Sequence, residues 1–172
     1  MNPESEQEFK VFVSTNIDHL CRFAFLLCRD WQRAEDTVQK ALTRLYLRWH
    51  RVNSSTPRAY VSRIVVNLLH DERRLFRFQR ERSTSEPPEE AQADHAEATT
   101  TRLAMLEALS RLPARQRLAV VLRFWEDLSV EQTAEIMKCS QGTVKSQTAR
   151  GLQTLRGLLG KPIPTQVEGA NQ

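Results

Sequence analysis

The chain has 172 residues, 40% of them hydrophobic, which is enough for compact helical cores in one domain or two small ones and too many for a disordered protein. Lys plus Arg outnumber Asp plus Glu by 25 to 21, a formal charge of +4 that by itself favours anionic partners only weakly. Met1 to Phe9 lacks the pattern of a secretory leader, no apolar run approaches the roughly 18–20 residues of a bilayer span, and three cysteines without C-x-x-C spacing argue against a disulfide framework or zinc knuckle; a soluble, intracellular protein is expected.

In chain order, Phe9, Phe12, Val13, Ile17, Leu20, Cys21, Ala24 and Leu27 keep helical spacing, which predicts a helix over Glu6 to Cys28 with a break near Asn16. Cys21 and Cys28 share a face with Ile17, Leu20 and Ala24 and read as core filling ahead of a redox or metal role. Asp30 is placed to cap a second helix with an apolar stripe of Trp31, Ala34, Val38, Ala41, Leu42, Leu45 and Trp49. Glu35, Asp36, Gln39, Lys40 and Thr43 fall on its outer side. Thr56-Pro57 then offers an N-cap followed by proline at the first helical position. The helix from Pro57 to Gln79 is on the order of 35 Å long. It buries Tyr60, Val61, Ile64, Val65, Leu68 and Leu75 and gathers Arg58, Arg63, Arg73, Arg74, Arg77, Arg80 and Arg82 elsewhere.

Ser83 to Thr100 changes character: Pro87-Pro88, five acids and almost no large apolar residue predict an extended linker. The flanking segments are cationic, with 15 bases and 10 acids in 1–82, and 10 bases and 5 acids in 102–161. The expected fold class is therefore all-α, with two small helical domains, 1–82 and 102–161, joined by an acidic flexible linker, 83–101, and followed by a disordered tail, 162–172.

In the second unit Leu103, Leu106, Leu109 and Leu112 mark a helix closed by Pro113, and Leu118, Val121, Leu122 and Trp125 mark the next. Ser129-Val130-Glu131-Gln132 has the capping-box form, so a helix starts at Val130 with Ala134, Ile136 and Met137 on its apolar face. After a turn at Lys138 to Ser140, Ser140 caps a helix beginning at Gln141, which completes a helix-turn-helix pattern. On that last helix Val144, Thr148, Gly151, Leu152 and Leu155 face inward, Ser146, Ala149, Arg150 and Gln153 face outward, and Lys145 and Gln147 lie on the flanks. A polar outer face is often merely solvated. Here the capped helix before it and the small residues Gly142, Ser146 and Ala149 favour close approach to DNA, where Arg and Gln can chelate purines and Lys suits phosphate.

Cys139-Ser140-Gln141-Gly142-Thr143-Val144-Lys145-Ser146 resembles the C-S-x-G-T-V-K-S pattern of extracytoplasmic-function (ECF) sigma factors. Leu109 to Arg117 resembles their L-x-x-L-P-x-x-x-R motif, Ala34-Glu35-Asp36-Thr37-Val38-Gln39 their A-E-D-x-V-Q, and Arg63, Asn67, Asp71 and Arg74 their R-x-x-x-N-x-x-x-D-x-x-R helix. The resemblance covers nearly everything from Phe9 to Leu159. It implies a cytoplasmic sigma factor, without catalysis or cofactor, that brings core RNA polymerase to promoter DNA. Glu35, Asp36 and Gln39 would meet the clamp of the polymerase largest subunit. Arg58, Tyr60, Arg63, Asn67, Arg73, Arg74 and Arg77 would hold the melted minus-10 element, with Asn67 on a flipped base. Thr143, Lys145, Ser146, Gln147, Ala149, Arg150 and Gln153 would read the minus-35 duplex, and the same unit would touch the polymerase flap. An anti-sigma factor is a further candidate partner. The resemblance also routes the linker through the RNA exit channel, a path that five acids with no base suit as well as they suit a plain solvated tether.

Three residues keep a second reading. Tyr60 could stack on a base but fits the buried stripe better, and Asp71 and Arg74, three apart, could pair on the helix surface. The sequence also departs from the family pattern. Lys138 stands where glycine is frequent, Gln147 replaces a frequent arginine, Lys40 stands where an acid is common, and Gly151 replaces alanine, which weakens a helix by about 1 kcal/mol. Two other functions compete. A stand-alone helix-turn-helix regulator would need a dimerising helix that the sequence lacks. A helical enzyme is opposed by the scatter of His19, His50, His70 and His95 and by acids that fall on outer faces or in the linker.

Overall fold

Helix α1 (Pro3–Cys28) begins earlier than its apolar stripe and passes through Asn16 without the expected break. The Asn16 amide donates to the Phe12 carbonyl at 2.8 Å, so the residue that looked like a breaker lies along the helix it was expected to interrupt. The computed structural model describes residues 3–52, 57–80 and 100–160, with side chains as far as Arg74 in the second stretch.

Arg29 ends α1 in the left-handed conformation, φ 61°. Asp30 then accepts from the Arg33 amide at 2.9 Å and starts α2 (Trp31–Tyr46). The resulting hairpin is antiparallel: Phe25 stacks on Trp31 near the turn, and Phe9 meets Trp49 edge-on at the far end, where the chain makes a short 3-10 turn (Trp49–Arg51). Leu20, Phe23, Ala24 and Leu26 are buried with Ala34, Val38, Ala41, Leu42 and Leu45 between the helices. Each large side chain buried in this way contributes roughly 1.5–3 kcal/mol. Contrary to expectation, α1 is long and apolar enough to cross a bilayer by length and composition alone. Those four buried residues are the apolar face of a helix packed on its neighbour.

Helix α3 (Pro57–Arg80) opens on proline as expected; its predicted cap, Thr56, and the Leu75 side chain lie outside the described residues. Val61, Val65 and Leu68 are buried as predicted, with Tyr60 and Ile64 half-buried against them. A second stripe, Ser62, Val66 and Leu69, is buried as well. One apolar stripe suffices for a helix that packs on one side; α3 packs on α1 and α2 and also meets the second unit, through α6 (Val130–Met137) and the Ser62 bond to Glu126.

The helices of the second unit are α4 (Thr100–Arg111), starting two residues ahead of the expected unit, α5 (Ala114–Phe124), α6 and α7 (Gln141–Leu159). Leu103, expected in the core, is 56% exposed, whereas Leu109 and Leu112 are buried. Helix α7 lies across α5 and α6 with Val144, Gly151, Leu152 and Leu155 inward. The two helical groups also touch: α1 meets α4 and α5, α3 meets α6, and one apolar cluster runs through both.

Candidate nucleic-acid interface

The helix-turn-helix is set by three local devices. Ser129 accepts from the Gln132 amide at 3.0 Å while the Gln132 side chain accepts from the Ser129 amide at 2.9 Å, so both ends of the predicted capping box are made. Lys138 leaves α6 in the left-handed region, φ 53°, the conformation for which glycine is the usual residue. Ser140 then caps α7 through the Thr143 amide at 3.1 Å.

Gln141, Gly142, Lys145, Ser146, Ala149, Arg150 and Gln153 all stand exposed on α7, and Thr143 and Gln147 are half-buried at its margin. Ser146 donates its hydroxyl to the Thr143 carbonyl at 3.0 Å, which keeps the side chain flat against the helix. The face therefore offers Arg and Gln above a floor of small residues, with Lys at the side. On the inward side of α7, Gly151 is a packing requirement, not the weakness expected from propensity. A Cβ on Gly151 would come 2.7 Å from Val120 Cγ2 and 3.3 Å from the Gln116 carbonyl, so α5 and α7 approach closely only because none is there.

On the first unit, Glu35, Asp36 and Gln39 are exposed along a groove of about 710 Å³ between α1 and α2, floored by Phe9, Val13, Val38 and Leu42. Lys40 does not join them: its ammonium lies 3.6 Å from Glu72 on α3, the carboxylate that also takes Arg33 at 2.9 Å. Arg73 and Arg74 are exposed, Asn67 is half-buried, and the Arg77 side chain lies outside the described residues. Tyr60 packs on the core and its hydroxyl accepts from Arg48 at 3.4 Å. Asp71 and Arg74 form no ion pair with each other among the described residues.

Arg58 and Arg63 are drawn to the second unit. Arg63 meets Glu135 of α6 at 3.2 Å, and Arg58 Nε lies 3.7 Å from Glu126, just past the end of α5. Glu126 corrects the expectation that the acids sit on outer faces or in the linker: its side chain is fully buried. Oε2 accepts from Ser62 at 2.6 Å and Oε1 lies 2.6 Å from His19 Nε2, while the His19 ring stacks on Trp125. Nη2 of Arg58 is also 2.8 Å from His19 Nε2. One imidazole nitrogen cannot donate to a carboxylate and accept from a guanidinium at once. With a proton on Nε2 the imidazole donates to Glu126 and Arg58 contributes charge; with Nε2 bare it accepts from Arg58. Glu126 carried one signal in the sequence: it follows the buried Leu122 at the four-residue helical spacing, although α5 itself ends at Phe124.

Cys21 and Cys28 are half-buried free thiols, and burial pushes both above the ordinary cysteine range, as befits packing residues. No cluster of three or more His, Cys, Asp or Glu suited to a metal occurs among the described residues.

Residues 12–78 match the family model for Sigma-70 region 2, and residues 102–155 match that for Sigma-70 region 4. The RNA polymerase sigma-E factor of Streptomyces coelicolor is 37% identical over 150 residues, covering 87% of this chain and 84% of that one. The chain belongs to the ECF sigma factors. The ECF sigma factor SigL of Mycobacterium tuberculosis is 30% identical over 142 residues, 80% of each chain. Among solved structures, the sigma factor RpoE of Bartonella quintana, crystallised with the anti-sigma factor NepR, superimposes with a TM-score of 0.80 at 26% identity, covering 91% of this chain and 99% of that one. As a sigma factor this protein works with core RNA polymerase and promoter DNA and directs promoter-specific initiation. A stand-alone helix-turn-helix regulator is not favoured, because the match extends through region 2 as well as region 4.

Proposed function

We propose that α7 reads the minus-35 duplex through Thr143, Lys145, Ser146, Gln147, Ala149, Arg150 and Gln153, that α3 holds the melted minus-10 strand through Arg58, Tyr60, Arg63, Asn67, Arg73, Arg74 and Arg77, and that Glu35, Asp36 and Gln39 dock on the polymerase clamp. The observation that carries this reading is the outer face of α7, where Arg150 and Gln153 stand exposed around Ser146 and Ala149 on a doubly capped helix-turn-helix. Arg suits guanine and Gln suits adenine in the major groove, and the small residues let the helix approach base edges. Tyr60 serves by packing beneath this surface more than by stacking.

Segments 1–82 and 102–161 act as two promoter-binding units, 83–101 tethers them along the RNA exit channel, and the region 4 unit also touches the flap. Because Arg58 and Arg63 are engaged by Glu126 and Glu135, the two units must part before those arginines can reach DNA. The packed arrangement is then the form held away from promoters. An anti-sigma factor that seized it would keep the protein inactive, as the likeness to RpoE in its complex with NepR suggests. The protein works in the cytoplasm, has no catalytic activity and needs no cofactor.

Run-off transcription with purified core polymerase and genomic fragments tests the reading. Transcripts from a subset of promoters, absent without core, are expected; folded protein that gives none with core would overturn it.

A further inference from the structure

Between the two helical units, away from the Glu126 contact, lies a cleft of about 590 Å³. Arg29, Arg33 and Arg73 line it from the first unit and Arg115 and Arg117 from the second, over a floor that includes Leu69 and Leu118. The lining holds one acid, Asp30, whose carboxylate is occupied in capping α2. Arg33 has Glu72, but Arg117 forms no ion pair among the described residues.

Arg117 is the unusual member. It is 8% exposed, and among the described residues its guanidinium makes one hydrogen bond, a long one of 3.5 Å to the Ser110 carbonyl. Burial, and then the like charges of Arg73 and Arg29, push its guanidinium below the ordinary arginine value. A guanidinium does not give up its proton in a protein, so a buried one without a carboxylate is a standing cost. The same cost becomes affinity when an anion arrives, since planar guanidinium groups converging from two sides match phosphate oxygens.

We propose that this cleft binds a small, multiply charged phosphate compound, with Arg117 as its buried anchor and Arg73 and Arg115 closing from opposite walls. The bound anion bridges the two units and holds them together, so its concentration sets how readily they part. This inference is independent of the assignment of α7 to the minus-35 element.

The test uses the full chain, with tripolyphosphate, pyrophosphate and GTP as probes, in calorimetric titration and thermal melts at constant ionic strength. Saturable one-to-one binding with a raised melting temperature is expected. It should be lost in Arg117→Met and weakened at least about tenfold in the Arg73→Ala/Arg115→Ala double variant, whose side chains are exposed and whose fold is not at stake. Tripolyphosphate binding as well as GTP identifies the phosphate chain as the ligand; tighter GTP binding adds a nucleoside on the apolar floor. Absence of saturable binding by every probe overturns the proposal, as does binding that persists unchanged in both variants. So does Arg117-dependent binding of a DNA duplex without binding of the small probes, which would assign the cleft to nucleic acid.

Discussion

Ser62 on α3 donates to Glu126 at 2.6 Å across 64 residues of sequence, inside a contact that excludes water from the carboxylate. With His19 and Arg58 on the same group, a single buried acid ties α1 and α3 to the end of α5. Removing it takes the carboxylate away from the half-exposed Arg58 guanidinium and leaves the Ser62 hydroxyl with the Arg58 carbonyl, 2.9 Å away, as its acceptor. Glu126→Ala is therefore expected to cost about 1–3 kcal/mol of stability and to loosen the two units. Small-angle scattering should show a larger radius of gyration for the variant; an unchanged radius would mean that the apolar contacts alone hold the units.

Gly151→Ala runs against propensity. Alanine is the better helix former by about 1 kcal/mol, yet its methyl would sit 2.7 Å from Val120 and close to the Gln116 backbone. Overpacking of this kind costs about 1–3 kcal/mol, so the variant is expected to be less stable. Urea unfolding settles the sign: a midpoint equal to or above that of the parent chain would show that α5 gives way easily.

Lys138→Gly should act in the opposite direction. A left-handed residue with a Cβ costs about 1–2 kcal/mol, and glycine relieves it at the cost of a freer unfolded chain. The net gain expected is about 1 kcal/mol in the same urea experiment, with the helix-turn-helix unchanged by circular dichroism. A loss of stability would mean that the lysine side chain contributes more than its backbone costs.

Arg150→Ala addresses recognition. The side chain is exposed on α7, outside every intramolecular ion pair among the described residues, so its removal should leave folding and core binding intact. Discrimination at one minus-35 base pair should fall by about 1–3 kcal/mol. Transcription from promoters altered singly across that element measures it; losses spread evenly over all positions would place Arg150 on phosphate instead.

The helices were legible because their signals are local. Asp30, Ser129 and Ser140 sit where caps belong, and each makes the predicted bond. The exposed face of α7 followed from 3.6-residue phase alone. Asn16 misled because an amide side chain can bond back along a helix as readily as end it, and Leu103 misled because a helix phase does not say which of its residues finds a neighbour.

What the sequence by itself determined is thus the set of helices, the caps at Asp30, Ser129 and Ser140, the exposed face of α7 and the family. Tertiary structure alone decided that Glu126 is buried against His19, 107 residues away, that Arg117 is enclosed among other arginines, and that Gly151 is there for α5 to approach. The reason is geometric. Periodicity records the direction in which a side chain leaves its own helix, whereas a charge or a missing methyl acquires its meaning from the surface that a distant segment brings against it.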